Sequence, residues 1–154
     1  MQLSSSLRLD DQLCFALYAA SRSIIGVYRP MLDRIGLTYP QYLVMLVLWE
    51  HGPRAIKEIS AALQLDYGTL TPLLKRLEAL GHIQRQRRAD DERAVTVSLT
   101  EGGRRLRDEA TGVPIEISRA FGLSAADTAT LGDLLRRVVA NTQAYSGSLP
   151  PPTR

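Results

Sequence analysis

Leu70, Leu73, Leu74, Leu77 and Leu80 recur at i, i+3, i+4, i+7 and i+10 between Asp66 and Gly81. An α-helix gathers those five side chains on one face, because successive positions rotate by about 100°. Asp66 suits the N-cap, where a carboxylate accepts from free amides of the first turn, and Gly81 suits the left-handed residue beyond a helix end. Ahead of this segment lie a shorter apolar-periodic run, Ile56–Leu63, and a four-residue break, Gln64–Tyr67. Two short helices joined by a tight turn form a helix-turn-helix, with the second helix as the candidate recognition helix. The face opposite the leucine stripe carries Thr69, Thr71, Pro72, Lys75, Arg76 and Ala79. Hydroxyls near a helix start can reach base edges or phosphates, and cations further along suit phosphate oxygens. Taken alone, the same pattern equally describes an amphipathic helix with a solvated face.

The residues after Gly81 decide between these readings. His82–Arg88 is basic, Ala89–Arg93 is polar, and Ala94–Leu99 alternates apolar or β-branched with small polar residues. The last run reads as a strand and the polar stretch as the tip of a hairpin. Arg85, Arg87 and Arg93 recur at strand spacing, with Arg88 adjoining the tip. An arginine-loaded hairpin beside a helix-turn-helix is a wing, and arginine at its tip suits a narrow minor groove. The residues expected to serve DNA binding are Asp66, Gly68, Thr69, Thr71, Pro72, Lys75, Arg76, Arg85, Arg87, Arg88, Asp91 and Arg93.

Charge distribution agrees. The net charge is only +3, but Lys75–Arg107 holds nine Lys/Arg against five Asp/Glu, whereas residues 1–50 hold four of each. A local basic field implies a polyanionic partner for the middle of the chain. The 154 residues, 45% hydrophobic and 23% charged, suffice for one domain with a sizeable core. No apolar run is long enough to span a bilayer, and the start lacks a signal-peptide pattern, so no membrane partner is expected. One cysteine, Cys14, precludes an internal disulfide and fits a reducing cytoplasm.

Helical segments flank this centre. Asp10 or Asp11 is expected to cap a first helix from about Gln12 to Ile35, which is apolar over most of its circumference and so needs more than one packing partner. Pro30 should kink it or end it near Arg29. Tyr39-Pro40 begins a second helix through about Glu50, an almost continuous apolar run that reads as a core element, and His51-Gly52-Pro53 ends it. Thr100–Gly103 reads as the exit from the wing. A long helix is expected from about Arg104 towards Phe121, with a kink at Pro114. Ser124–Asp127 has capping-box spacing ahead of a last helix to about Gln143, and Gly147–Pro152 reads as a flexible tail. The expected fold is mainly α with a small β-wing. It is one chain unit over 1–154, with a winged helix-turn-helix at 55–100 and helical dimerisation parts at 10–50 and 101–145. A dimer has a functional reason, since two recognition helices read a pseudopalindrome and one reads too few base pairs.

Cys14 is the one candidate for reactive chemistry. No metal-ligand spacing, phosphate loop or nucleophile elbow appears, so no metal, cofactor or catalytic residue is expected. Between Leu13 and Phe15, Cys14 can be simply a small core hydrophobe. A second reading comes from the tyrosines. Tyr18 lies at i+4 from Cys14, and Tyr28 at i+14 falls on roughly the same face. Within one helix Cys14 and Tyr28 are about 21 Å apart, so they cannot meet. An antiparallel second copy crossing near Ser21 would bring them together, and phenol hydroxyls on the sulfur would favour the thiolate.

Asp91-Glu92-Arg93, followed by Val95, Val97 and Leu99-Thr100, resembles the wing signature of the multiple antibiotic resistance regulators (MarR family). Gln12–Tyr18, Leu37–Leu43 and Gly68–Arg76 are similar to one branch of it, the organic hydroperoxide resistance repressors. The resemblance spans about residues 10–105. It implies a homodimeric winged-helix repressor whose N-terminal cysteine is oxidised by organic hydroperoxides, releasing double-stranded operator DNA. By position, Cys14 would be the sensing thiolate, with Tyr28 and Tyr39 as hydrogen-bond partners from the other subunit and Tyr18 nearby. Some members carry a resolving cysteine that this chain lacks. Oxidation would then pass beyond sulfenic acid by a mixed disulfide with a small thiol, or by a sulfenamide. Two other readings stand beside this one: a regulator of the same fold released by a lipophilic or phenolic ligand, with Cys14 structural, and a thiol peroxidase. The wing and the missing resolving cysteine argue against the enzyme.

Overall fold

The structure, a computed structural model, describes residues 6–87 and 95–148. A 3₁₀ turn (Leu9–Asp11) leads into α1 (Leu13–Arg34), α2 (Tyr39–His51), β1 (Arg54–Ala55), α3 (Ile56–Leu63) and α4 (Tyr67–Ala79). The hairpin strands β2 (Ile83–Arg87) and β3 (Val95–Leu99) follow, then α5 (Glu101–Ala110), α6 (Val113–Phe121) and α7 (Ala125–Ser148). The fold is thus mainly helical with a small antiparallel sheet, the winged helix-turn-helix arrangement expected. Two compact units divide between Ile117 and Ser118.

In the first unit α2 is the core element, as its apolar run requires. Tyr42, Val44, Met45 and Leu48 are buried. Its start is held by Gln41, whose Oε1 accepts from the Thr38 backbone N–H at 2.8 Å. Around it gather Leu32 of α1, Ile59 of α3, Leu70, Leu74 and Leu77 of α4, Ile83 and Val97 of the hairpin, and Leu106 and Ala110 of α5. Each fully buried leucine contributes about 2 kcal/mol. Leu80 departs from the stripe: it is the C-cap of α4 and half exposed, with Gly81 beyond it at φ +77°.

The local structure differs from or refines the expectation at several points. Neither Asp10 nor Asp11 caps α1. Both lie in the 3₁₀ turn, Gln12 takes the N-cap, and its Nε2 donates to the carbonyls of Ser6 (2.7 Å) and Arg8 (3.2 Å). Of the two outcomes expected at Pro30, termination near Arg29 does not occur, and α1 runs to Arg34 as its expected span to about Ile35 allowed. Interior proline costs about 3 kcal/mol, and the burial of Leu32 with the packing of Tyr28, Met31 and Ile35 on the core offsets it. A two-residue β1, too short to leave a periodic signal, pairs with β3 through Arg54↔Val97 and Ala55↔Thr96, giving the order β1-β3-β2.

The exit from the wing also differs. Helix α5 starts at Glu101, not Arg104, and takes in both glycines. Thr100 caps it, its hydroxyl oxygen accepting from the Gly103 N–H (3.1 Å) while the hydroxyl donates to the Gly81 carbonyl (2.5 Å). Gly103 is buried, and a Cβ there would overlap the His82 carbonyl oxygen. Glycine is used here for close approach of backbones, not for a loop. The expected long helix is two, broken at Thr111-Gly112, so Pro114 sits in the first turn of α6, where proline is tolerated.

In the second unit α7 is capped by Ser124, whose hydroxyl oxygen accepts from the Asp127 N–H (3.1 Å) and whose proton goes to the Asp127 carboxylate (2.6 Å). The helix runs five residues past the expected end and includes Gly147. Its stripe of Leu131, Leu134, Leu135, Val138 and Val139 is exposed.

Gly103→Ala should destabilise the protein by at least about 2 kcal/mol in urea denaturation, through overlap with the His82 backbone. Gly112→Ala, where a Cβ would meet nothing within 4 Å, should stay within about 0.5 kcal/mol of wild type.

Candidate nucleic-acid interface and thiol site

Helix α4 opens with a fully made cap. The Asp66 carboxylate accepts from the Thr69 backbone N–H (2.8 Å) and from the Thr69 hydroxyl (2.9 Å), which holds its pKa below the ordinary carboxylate value. Gly68 leaves room for that carboxylate, since a Cβ there would come within 3.0 Å of Asp66 Oδ1. Asp66 and Gly68 therefore shape the helix start, and Thr69 has its hydroxyl proton pointed at Asp66. Thr69, Pro72, Lys75 and Arg76 are exposed, and Thr71 is half-buried. Neither Lys75 nor Arg76 has an ion-pair partner among the described residues. Two unneutralised cations one turn beyond a hydroxyl-bearing helix start form a surface that can take phosphate oxygens.

Two of the hairpin arginines, Arg85 and Arg87, lie within the described residues. Its register pairs Ile83↔Leu99, Arg85↔Val97 and Arg87↔Val95. Directly opposed residues share a face, and Ile83 and Val97 are buried, so the odd-numbered positions of β2 look inward. Arg85 accordingly lies half-buried and bonded to Glu78 of α4 through its backbone N–H (3.0 Å), Nε (2.9 Å) and Nη2 (2.6 Å). The Glu78 carboxyl is held below its ordinary pKa chiefly by the Arg85 side chain. Arg87, at the strand end, is exposed. Arg88, Asp91 and Arg93 lie outside the described residues.

Cys14 is the second residue of α1 and is exposed, so in the single chain it is not the core hydrophobe that its neighbours allowed. Leu13, Phe15, Tyr18, Ile25 and Val27 are exposed with it along the same helix. The Tyr18 ring lies under the Arg22 guanidinium, 5.5 Å from its centroid. Tyr28 and Tyr39 come together, their ring centroids 4.7 Å apart, with Tyr42 at 5.9 Å from Tyr28. Burial, then the neighbouring phenols Tyr39 and Tyr42, push the Tyr28 hydroxyl up to about 12, and burial raises Tyr39 and Tyr42 as well. These phenols stay protonated and able to donate at any physiological pH. As α1 is one continuous helix, Cys14 and Tyr28 of one chain stay about 21 Å apart.

Sequence reasoning passed over three residues of this region. Tyr42, one helical turn from Tyr39, completes the phenol cluster. Trp49 packs edge-on against Tyr42 (6.2 Å) and donates its Nε1–H to the Gly103 carbonyl (2.8 Å). Glu78, the one carboxylate on a helix otherwise carrying cations, had a readable signal: the inward arginine of β2.

The helix-turn-helix, the three-stranded sheet and the hairpin define a winged-helix transcriptional regulator of the MarR type. Residues 26–110 match the model of the family described as transcriptional regulator SarA/Rot, and the chain belongs to that family. It is 50% identical over 108 residues to the organic hydroperoxide resistance transcriptional regulator of Bacillus subtilis, covering 70% of this chain and 74% of that one. It is 46% identical over 140 residues to the HTH-type transcriptional regulator TtmR of Methylorubrum extorquens, covering 91% and 72%. Among solved structures it is similar to overoxidised AbfR bound to DNA, with TM-score 0.73 and 35% identity over 88% of this chain and 96% of that one. Among the described residues no helix is long and apolar enough to cross a membrane.

The phenol cluster has a consequence for stability. The folded Tyr28 loses its proton near pH 12, whereas an unburied phenol does so near 10.0. Its contribution is fully present below about pH 10 and is lost as pH rises towards 12. The urea midpoint should fall over that window, and less steeply in Tyr28→Phe.

Proposed function

We propose that this regulator binds a pseudopalindromic operator as a homodimer and releases it when an organic hydroperoxide oxidises Cys14. The observation that carries the reading is an exposed lone thiol on an apolar, uncovered helix whose far end holds protonated tyrosines. Large apolar side chains exposed along α1 call for a partner surface. A second copy crossing antiparallel near Ser21 covers it and brings Cys14 to the partner's Tyr28 and the partner's Tyr39, with Tyr18 one turn away on its own helix. Two phenol donors then stabilise the thiolate, the species that attacks peroxide.

The chemistry balances without a cofactor. The thiolate sulfur attacks the outer peroxide oxygen, the O–O bond breaks, and the alkoxide leaves as alcohol after taking a proton. Sulfur is oxidised by two electrons and the peroxide is reduced. The sulfenic acid then loses its hydroxyl as water, either to a backbone nitrogen, giving a sulfenamide, or to a small thiol, giving a mixed disulfide. That adduct is bulkier than a thiolate and wedges the crossing helices apart, which changes the spacing of two reading heads against a fixed half-site spacing. Lys75, Arg76 and the α4 hydroxyls serve the DNA contacts, and Arg87, Arg88, Asp91 and Arg93 complete the set that the sequence assigns to DNA. A regulator of this kind works in the cytoplasm.

The relatives are transcriptional regulators, which favours a sensor over a thiol peroxidase. Release by a small lipophilic or phenolic ligand has one observation in its favour. An open cleft of about 420 Å³ at the base of the wing is lined by Trp49, Pro53, Leu99, Arg104 and Arg107 among others. The identity to an organic hydroperoxide regulator favours the peroxide.

Cys14→Ser should keep operator affinity within about twofold of wild type, because Cys14 is far along the chain from α4 and the wing, and should abolish release by cumene hydroperoxide. Loss of DNA binding without oxidant would make Cys14 structural. Tyr28→Phe removes one donor to the thiolate, so stopped-flow measurement should give a peroxide rate constant lower by about tenfold. An unchanged rate would remove Tyr28 from the site.

A further inference from the structure

We propose that Glu78 is a positioning residue for DNA recognition: through Arg85 it clamps the wing to the recognition helix, so Arg85 sets the wing and does not bind phosphate. The proposal rests on the DNA-binding reading above. Both carboxylate oxygens are committed to one residue of β2. Oε1 accepts from the Arg85 backbone N–H at 3.0 Å, and Oε2 accepts from Nε at 2.9 Å and Nη2 at 2.6 Å. A grip on main chain and side chain together fixes the strand as well as the guanidinium. The pair is sheltered, with the Arg85 and Glu78 side chains 26% and 35% exposed. It sits where leverage is greatest. Glu78 is in the last turn of α4, Arg85 is in the middle of β2, and the connection between the elements is only Leu80–His82. The arginine is held on the inner face by the register that places it opposite buried Val97.

The clamp and simple electrostatics predict opposite signs. A carboxylate two residues from Arg76, on a helix facing a polyanion, repels phosphate, so neutralising it should tighten binding. If Glu78 acts by holding the wing, neutralising it should weaken binding although a negative charge has gone.

The test uses the full chain and duplexes enriched by the wild-type protein from a random-sequence pool, with Kd measured as a function of KCl. Glu78→Gln should bind about fivefold more weakly at fixed salt, because a charge-assisted fork is lost from a partly exposed site. Its salt slope should be unchanged. Arg85→Lys, which keeps the charge and loses the fork, should behave alike, and the double variant should be no weaker than either single one. Lys75→Ala is the comparison for a phosphate contact and should flatten the slope by about one. Binding by Glu78→Gln that equals or exceeds wild type overturns the proposal. So does a reduced melting temperature with unchanged Kd, or an Arg85→Ala slope flattened as in Lys75→Ala. Should the wild-type chain enrich no duplex, the DNA reading itself fails and the clamp falls with it. That outcome is distinct from wild-type binding matched by Glu78→Gln.

Discussion

Four elements meet at the backbone of Gly103. Its carbonyl accepts from Trp49 of α2, its N–H donates to Thr100, and its Cα lies against the His82 carbonyl at the turn from α4 to the wing. The Thr100 hydroxyl closes the ring on Gly81. No side chain larger than hydrogen fits, so close packing of main chain holds the reading elements to the core. The position of α4 and the hairpin relative to α2 follows from that junction. The Glu78–Arg85 pair then governs the remaining freedom between helix and wing.

A path of packed rings runs from this junction back to α1. Trp49 touches Tyr42, Tyr42 touches Tyr28, and Tyr28 packs at a tilt against Tyr39. In the proposed mechanism the phenols that stabilise the thiolate are thus packed against the helix that anchors the wing. A displacement of α1 is felt at α2 without any separate relay, because a dense core moves in discrete steps. The same α1 serves two purposes. Its C-terminal half, with Leu32 buried, belongs to the core, while its N-terminal half presents Cys14 on an apolar surface left open in the single chain.

Much of this was legible in the sequence. The leucine stripe located α4 and its Asp66 cap, the apolar run identified α2 as core, and strand alternation located the hairpin. What was not legible depended on long-range contacts. Gly102 and Gly103 look like a loop until the His82 backbone is seen against them. Whether Pro30 kinks or ends α1 stays open in the sequence until Leu32 and Ile35 are seen packed beyond it. Arg85 and Arg87 were recognised at strand spacing, but spacing alone does not say which face is inner. The burial of Ile83 and Val97 decides that, and it places Arg85 against Glu78. Tyr28 and Tyr39 were expected to serve the thiol together from one subunit, but their ring contact with each other and with Tyr42 depends on how α1 packs on α2 and left no mark in the spacing.

The most direct measurement titrates an operator complex with cumene hydroperoxide in the presence of a small thiol. The fraction of DNA released is followed by anisotropy, and the fraction of Cys14 modified is followed in the same samples by intact-protein mass spectrometry. The account predicts that the two fractions rise together, with the mass increase assigned to Cys14. Release that runs ahead of modification, or complete modification of Cys14 with DNA still bound, would contradict it.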